Sequence, residues 1–183
     1  MPWLVPPVTD AMWDTKKKVC DAATVTLQCL CETIQNDDVK PFLPKLLDAL
    51  RDPTRVPNCI HALAGTTFVH TVTADVMAIV VPVLSRGFQE KKSAMLRKCA
   101  VITENLTKLV DNPDAVRPFE TTLLPVLKHG QEHISDPECR QRFQRAYDEV
   151  HDVLHDKEHL DGMALHMVHS LTMAKELSIA TWH

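Results

Sequence analysis

Basic side chains are concentrated in two short stretches of this sequence. The stretch VPVLSRGFQEKKSAMLRKCAVI, residues 81–102, holds five of them, and a lysine run near the start holds three more. These residues are Arg86, Lys91, Lys92, Arg97 and Lys98, together with Lys16, Lys17 and Lys18. Clustered ammonium and guanidinium groups bind phosphate and carboxylate. We predict a contact surface for nucleic-acid phosphate or an acidic protein; alternatively, these residues only solvate exposed helix faces.

Two patterns have residue types that bind metal ions. His151, His155 and His159 recur at four-residue spacing, and two histidines one helical turn apart can bind zinc. Cys29 and Cys31 form a C-x-C pair, but no second pair or suitably spaced histidine accompanies it. Neither pattern is a full ligand set. We therefore expect no metal site, packed cysteines, and histidines that face solvent or a partner.

The sequence has no recognisable catalytic pattern. It contains neither a G-x-S-x-G elbow nor a G-x-x-x-x-G-K-[ST] phosphate loop, and its four glycines are widely scattered. The Asp52-Pro53 and Asp136-Pro137 pairs suit the start of a helix, where aspartate accepts a free amide and proline is tolerated. We predict that the chain is not an enzyme and takes no cofactor or small-molecule substrate.

Length and composition predict one helical domain. The chain has 183 residues, 45% of them hydrophobic, with four glycines and one tyrosine. Leucine, alanine and charged residues dominate, which favours helix over sheet.

The net charge of −4 divides into +2 over residues 1–100 and −6 over residues 101–183. Any contact with phosphate must therefore be local.

The six cysteines lie mostly among apolar residues at helical spacing, and no stretch resembles a secretory signal or a transmembrane span. We therefore predict reduced thiols, a cytoplasmic location and no contact with a membrane.

A repeat organises the chain. Three similar segments contain Pro44, Pro82 and Pro125, which are separated by 38 and then 43 residues. This period is typical of HEAT and armadillo repeats, in which each unit is a pair of antiparallel helices. The repeat predicts an all-α, HEAT/armadillo-like α-solenoid of about four helical hairpins.

Helical periodicity places the individual elements. An extended lead-in is expected over residues 1–9, because its three prolines do not suit a helix interior. In the fifth helix, an apolar stripe is predicted to face the core, with Lys98, Thr103 and Lys108 directed away from it. The predicted helices span about 10–35, 39–51, 55–70, 73–89, 92–111, 114–130, 137–155 and 159–178.

Specific stretches carry a family resemblance. DAMWDTKKKVCDAA begins at residue 10, DPTRVPNCIHALAGTTFVHTVT at residue 52, and RKCAVITENLTKLVDNP at residue 97. Over residues 10–150 the chain resembles the HEAT-repeat domain of fungal-type translation elongation factor 3, and less closely the matching repeats of the translational regulator Gcn-one. We call residues 10–150 the HEAT-repeat domain, with a helical cap or docking segment predicted over 151–183.

The resemblance implies a ribosome-facing interaction module. In that family, ATP hydrolysis belongs to two separate ABC-type cassettes, so the resemblance does not extend to ATP-driven release of E-site tRNA. The family has further repeats before the segment that starts here at Asp10, which suggests that the sequence begins within a solenoid. We therefore expect a partner or self-association to cover the solenoid ends. The alternative is a structural scaffold that docks to protein partners in another large assembly.

Overall fold

The computed structural model describes residues 1–155, and eight α-helices account for most of that range. The helices are α1 (Val5–Ala11), α2 (Lys17–Glu32), α3 (Leu43–Arg51), α4 (Val56–Ala64), α5 (Ala74–Gly87), α6 (Ser93–Thr107), α7 (Glu120–His133) and α8 (Pro137–His155). Short 3-10 turns precede α3, α4 and α7. The last helix predicted from the sequence, 159–178, lies outside the described residues.

Consecutive helices form pairs, and the pairs stack. Helices α1 and α2, α3 and α4, α5 and α6, and α7 and α8 pack as four pairs, and α4, α6 and α8 form a continuous layer. Helices α6 and α8 of that layer begin side by side, because Cys139 at the start of α8 contacts the carbonyl of Ser93 at the start of α6, with an S···O distance of 3.7 Å. The predicted all-α solenoid is confirmed.

Helix α6 lies at the centre of the core. It packs against α4, α5 and α8, and it buries polar as well as apolar side chains. Thr103 is fully buried and donates its hydroxyl to the carbonyl oxygen of Cys99, 2.9 Å away. The prediction that Thr103 faces away from the core is therefore wrong. A helix with neighbours on three sides buries more than one stripe, and threonine tolerates this by bonding to its own backbone.

The N-terminal region differs from the sequence prediction. The predicted helix over 10–35 is divided into α1 and α2, because the Asp14 carboxylate accepts the Lys16 amide at 2.7 Å and holds a turn. The lead-in is not fully extended, since α1 begins at Val5. Its Pro6 and Pro7 lie in the first helical turn, where no intrahelical donor is needed.

The loops between successive pairs are joined by hydrogen bonds. We call the edge that holds residues 33–42, 65–73 and 108–119 the loop edge. The Asp38 carboxylate accepts the backbone amides of Val69 and His70 at 2.7 and 2.8 Å. The amide of Val72 donates to the carbonyl of Leu109 at 2.9 Å. Helix α4 therefore ends at Ala64, short of the predicted residue 70, because the following segment bonds to neighbouring loops.

The two Asp-Pro pairs have the predicted capping role. Asp52 accepts the Thr54 amide at 2.9 Å, and Asp136 accepts the Glu138 amide at 3.1 Å. The pKa of Asp52 is lowered, first by the Thr54 hydroxyl and then by its amide, so the carboxylate is held in its accepting form.

Candidate partner-binding edge

The turns within the helix pairs lie on the edge opposite the loop edge. We call this the turn edge; it comprises residues 12–16, 52–55, 88–92 and 134–136. Two observations indicate that α1, α3 and α5 run in the same direction: the starts of α1 and α5 lie close together, and so do the ends of α1 and α3. The Met1 amino group lies 3.5 Å from Asp75 at the start of α5, and Met12 and Arg51 line one cleft.

Five of the predicted lysines lie at this edge with exposed side chains. Lys16 and Lys92 occupy equivalent positions, each immediately before a helix and each with extended backbone. Lys17 and Lys18 form the first residues of α2, and Lys91 lies in the turn before α6. The five ammonium groups therefore flank the amino-terminal ends of two helices, where the unpaired amides also carry partial positive charge.

The other three predicted residues have intramolecular partners. Arg86 donates from Nη1 to the carbonyl oxygens of Ala49 and Leu50, both at 2.8 Å, and so binds the carboxyl-terminal end of α3. Arg97 forms ion pairs with Asp136 and Glu138, which tie α6 to α8. Lys98 contacts the Nδ1 atom of His61 on α4. These contacts join repeats. They offset the charge of Arg97, and they engage donors of Arg86 and Lys98 within the molecule.

Two further basic residues lie on this edge and were not part of the sequence prediction. Arg51 ends α3, and Arg55 precedes α4; both are exposed. Arg55 forms an exposed ion pair with Asp52 at 3.6 Å. The signal was the RDPTR stretch, which we interpreted only as a cap. We call the seven exposed side chains the basic set: Lys16, Lys17, Lys18, Arg51, Arg55, Lys91 and Lys92.

The cysteines are placed for packing rather than nucleophilic chemistry. All six are free thiols, and four are buried. Burial raises the pKa of Cys99 to about 12 and the pKa values of Cys31 and Cys59 to about 11. A buried thiol with such a pKa stays protonated near neutral pH and is a poor nucleophile or metal ligand. Cys29 is exposed whereas Cys31 is buried, so the C-x-C pair faces two directions.

Histidines cluster on α7 and α8. His151 and His155 have their ring centroids 4.6 Å apart on α8, and Nε2 of His155 lies 3.8 Å from a carboxylate oxygen of Glu120 on α7. Within residues 1–155, no group of three or more metal-binding side chains is close enough to hold an ion. His159 lies outside the described residues.

None of the helices of residues 1–155 has both the length and the apolar character to cross a bilayer.

Comparison with known proteins identifies relatives. The family model described as elongation factor 3/GNC1 HEAT repeat matches residues 54–161, which extends past residue 150, where we expected the resemblance to end. Elongation factor 3 of Candida albicans is 47% identical over 146 residues, or 80% of this chain and 14% of that protein. Elongation factor 3B of Saccharomyces cerevisiae is 46% identical over 141 residues, or 77% of this chain and 14% of that protein.

A relative outside the yeasts is equally similar. Elongation factor 3 of Phytophthora infestans is 46% identical over 148 residues, which cover 81% of this chain and 14% of that protein. The chain thus spans about one seventh of the length of these relatives.

Proposed function

Because the chain belongs to the elongation factor 3/GNC1 HEAT-repeat family, we propose that it is a non-catalytic interaction module that docks on the ribosome through its turn edge. The basic set is the observation that carries this proposal. Its seven cations, from Lys16 to Lys92, would bind ribosomal RNA phosphates and acidic patches of ribosomal proteins. The module would act in the cytoplasm, and it would need no cofactor or small-molecule substrate.

The local electrostatics support a phosphate partner. Lys16 and Lys92 each precede a helix whose first amides have no intrahelical acceptor. A phosphate at such a position would meet ammonium groups, free amides and the positive end of the helix dipole together. The turns of this edge contain four acids, Asp14, Asp52, Glu90 and Asp136, which are fewer than the seven cations of the basic set. The edge therefore keeps a positive potential although the chain as a whole is acidic.

Charge reversal tests the proposal. We expect the double variant Lys91→Glu/Lys92→Glu to lose most of its sedimentation with purified ribosomes at low salt, and further substitution of Lys17 and Lys18 by glutamate to abolish the remainder. If about five phosphates are neutralised, the logarithm of wild-type affinity should fall with the logarithm of salt concentration with a slope of about −3.5 to −4.5.

A matched control separates a local contact from a general charge effect. Lys40→Glu/Lys128→Glu changes the net charge by the same amount, and both residues are exposed away from the turn edge. This variant should sediment like the wild type. Equal loss in both variants, or undiminished binding of the Lys91/Lys92 variant, would reject the turn edge as the docking surface.

The scaffold alternative also has a specific observation in its favour. Large apolar side chains are exposed at the first helix pair, with Trp3 81% and Trp13 55% accessible. A scaffold would bind its assembly through such apolar contacts, and its binding would persist at high salt. Ribosome binding through the basic set would be lost under the same conditions. Pull-down from native extract at low and high salt therefore distinguishes the two functions.

A further inference from the structure

A second surface lies on the layer formed by α4, α6 and α8. The amino-terminal half of α6 and the first turns of α8 border an open cleft of about 330 Å³, which Ala64 at the end of α4 also lines. The cleft is separate from the basic set, because none of those seven residues lines it. Its charges and its floor indicate a different kind of partner.

Cations line this cleft with incomplete neutralisation. Glu138 also lines the cleft, and Arg97 is paired with it and with Asp136, so the charge of Arg97 is offset within the molecule. Lys98 contacts only a histidine ring nitrogen, which does not neutralise an ammonium group. Arg142 forms no ion pair with any side chain in the described part of the chain. Among residues 1–155, two positive groups of the cleft therefore have no carboxylate partner.

The floor of the cleft is small and apolar. Ala64, Ala94 and Val101 line it between the cations, and each is partly or fully exposed. Nucleic-acid bases bind best where aromatic side chains offer a stacking surface, and no aromatic residue is among those that line this cleft. Small apolar residues instead leave room for an aliphatic side chain of a peptide.

We propose that the cleft between α4, α6 and α8 binds an acidic peptide segment of a partner protein. Carboxylates of the peptide pair with Lys98 and Arg142, and a leucine-sized side chain lies against Ala64, Ala94 and Val101. Arginine favours a carboxylate because its planar guanidinium makes two parallel hydrogen bonds. The cations determine that the partner is acidic, and the apolar floor determines that it is a peptide.

Fluorescence anisotropy with a defined probe tests this inference. The probe is a fluorescein-labelled peptide of repeated Glu-Glu-Leu units, and its control is the matching Gln-Gln-Leu peptide. The full chain should bind the acidic probe and not the amide control. Lys98→Glu/Arg142→Glu should raise the Kd at least about tenfold. Lys40→Glu/Lys128→Glu, which has the same net charge, should change it by less than about twofold.

Several results would overturn the inference. These are equal binding of both peptides, no binding of the acidic probe, or an unchanged Kd in the Lys98/Arg142 variant. Loss of affinity for a uridine-rich RNA in that variant, with peptide binding retained, would assign the cleft to phosphate instead. Circular dichroism checks folding, and Arg142→Gln provides a milder variant that should weaken peptide binding in the same direction.

Ribosome sedimentation of the same variants separates the two surfaces. The Lys98/Arg142 variant should sediment like the wild type, whereas the Lys91/Lys92 variant should still bind the acidic probe. Failure of the peptide experiment would therefore not contradict the turn-edge proposal. Failure of the ribosome sedimentation experiment would likewise not contradict the peptide proposal.

Discussion

Gly130 of α7 lies directly against the ring of Phe143 of α8. The Phe143 ring is fully buried and meets Phe88 edge-on, with centroids 5.4 Å apart. A methyl group added at Gly130 would overlap that ring, with Phe143 Cγ only 2.7 Å away. The glycine therefore sets how closely the two helices approach, and Phe88 limits how far the ring can move aside.

Gly130→Ala should consequently destabilise the protein. Alanine favours helix by about 1 kcal/mol over glycine, but overpacking a rigid ring costs about 1–3 kcal/mol and should exceed that gain. We expect a net loss in the free energy of unfolding, measured by urea denaturation. Gly65→Ala is the control, because a methyl group there meets nothing nearer than 3.6 Å. Equal stability of the two variants would contradict this account of the α7–α8 contact.

At the scale of elements, the loops at the loop edge are joined through a charged pair. Nδ1 of His70 lies 2.7 Å from a carboxylate oxygen of Asp38, which also accepts two backbone amides. The amide of His70 lowers the pKa of Asp38 most, with burial opposing it. The hydrogen bond that the His70 ring donates to the Asp38 carboxylate raises the pKa of His70. Both shifts favour the state in which the carboxylate and the imidazolium are charged.

The pair makes stability depend on pH. Asp38 stabilises the fold above its unfolded pKa of about 3.9, and this is lost as pH falls through its lowered folded pKa. His70 stabilises the fold fully below about pH 6.5, and this is lost as pH rises through its raised folded pKa. His70→Ala should therefore lower the Tm more at about pH 5.5 than at about pH 8.5. In an Asp38→Asn background this pH dependence should disappear; its persistence would show that another group is responsible.

Much of the element plan was predictable from local sequence. Proline spacing and apolar periodicity identified the helix pairs, and Asp52 and Asp136 marked caps that depend only on residues two positions away. The break between α1 and α2 was not predicted, because it depends on one side-chain hydrogen bond in the turn, from the Lys16 amide to Asp14. The burial of Thr103 was not predicted either, because it depends on helices that pack against α6 on three sides. Long-range partners explain the rest, since Arg86 bonds to residues 36 and 37 positions earlier.

The candidate site was also only partly predictable, because its long-range partners are not visible in the local sequence. A charge run indicates where cations are, but it does not indicate which of them face an acid or a carbonyl after folding. Lys91 and Lys92 remain exposed, whereas Arg97 meets Asp136 and Glu138 from the next repeat. The cleft beside Lys98 depends on Arg142 and Ala64, which come from two other helices, so no local pattern could have identified it.

At the scale of the whole molecule, charge and apolar exposure are unevenly distributed. The basic set lies within the first 100 residues, which carry a net charge of +2, and the remainder carries −6. The first helix pair also exposes Trp3, Leu4 and Trp13, which are 81%, 55% and 55% accessible. Exposed tryptophans are typical of surfaces that another protein covers.

Self-association through this end is therefore expected. Light scattering coupled to size-exclusion chromatography should give a mass that rises with concentration for the wild type. Trp3→Ser/Trp13→Ser should remain a monomer of 20.6 kDa over the same range. A concentration-independent monomer mass for the wild type would leave these residues to a different partner and reject self-association.

The two edges of the solenoid differ in stiffness. Successive loops are joined by backbone amides, including the bond from Val72 to Leu109, whereas across the opposite edge the repeats are joined by single side chains such as Arg97. We therefore expect bending to occur most easily about the loop edge as a hinge, with the turns on the far side moving apart or together. Such motion changes the distance between Lys18 and Lys92. The spacing of the cations would then adjust to the curvature of the phosphate surface that we propose as their partner.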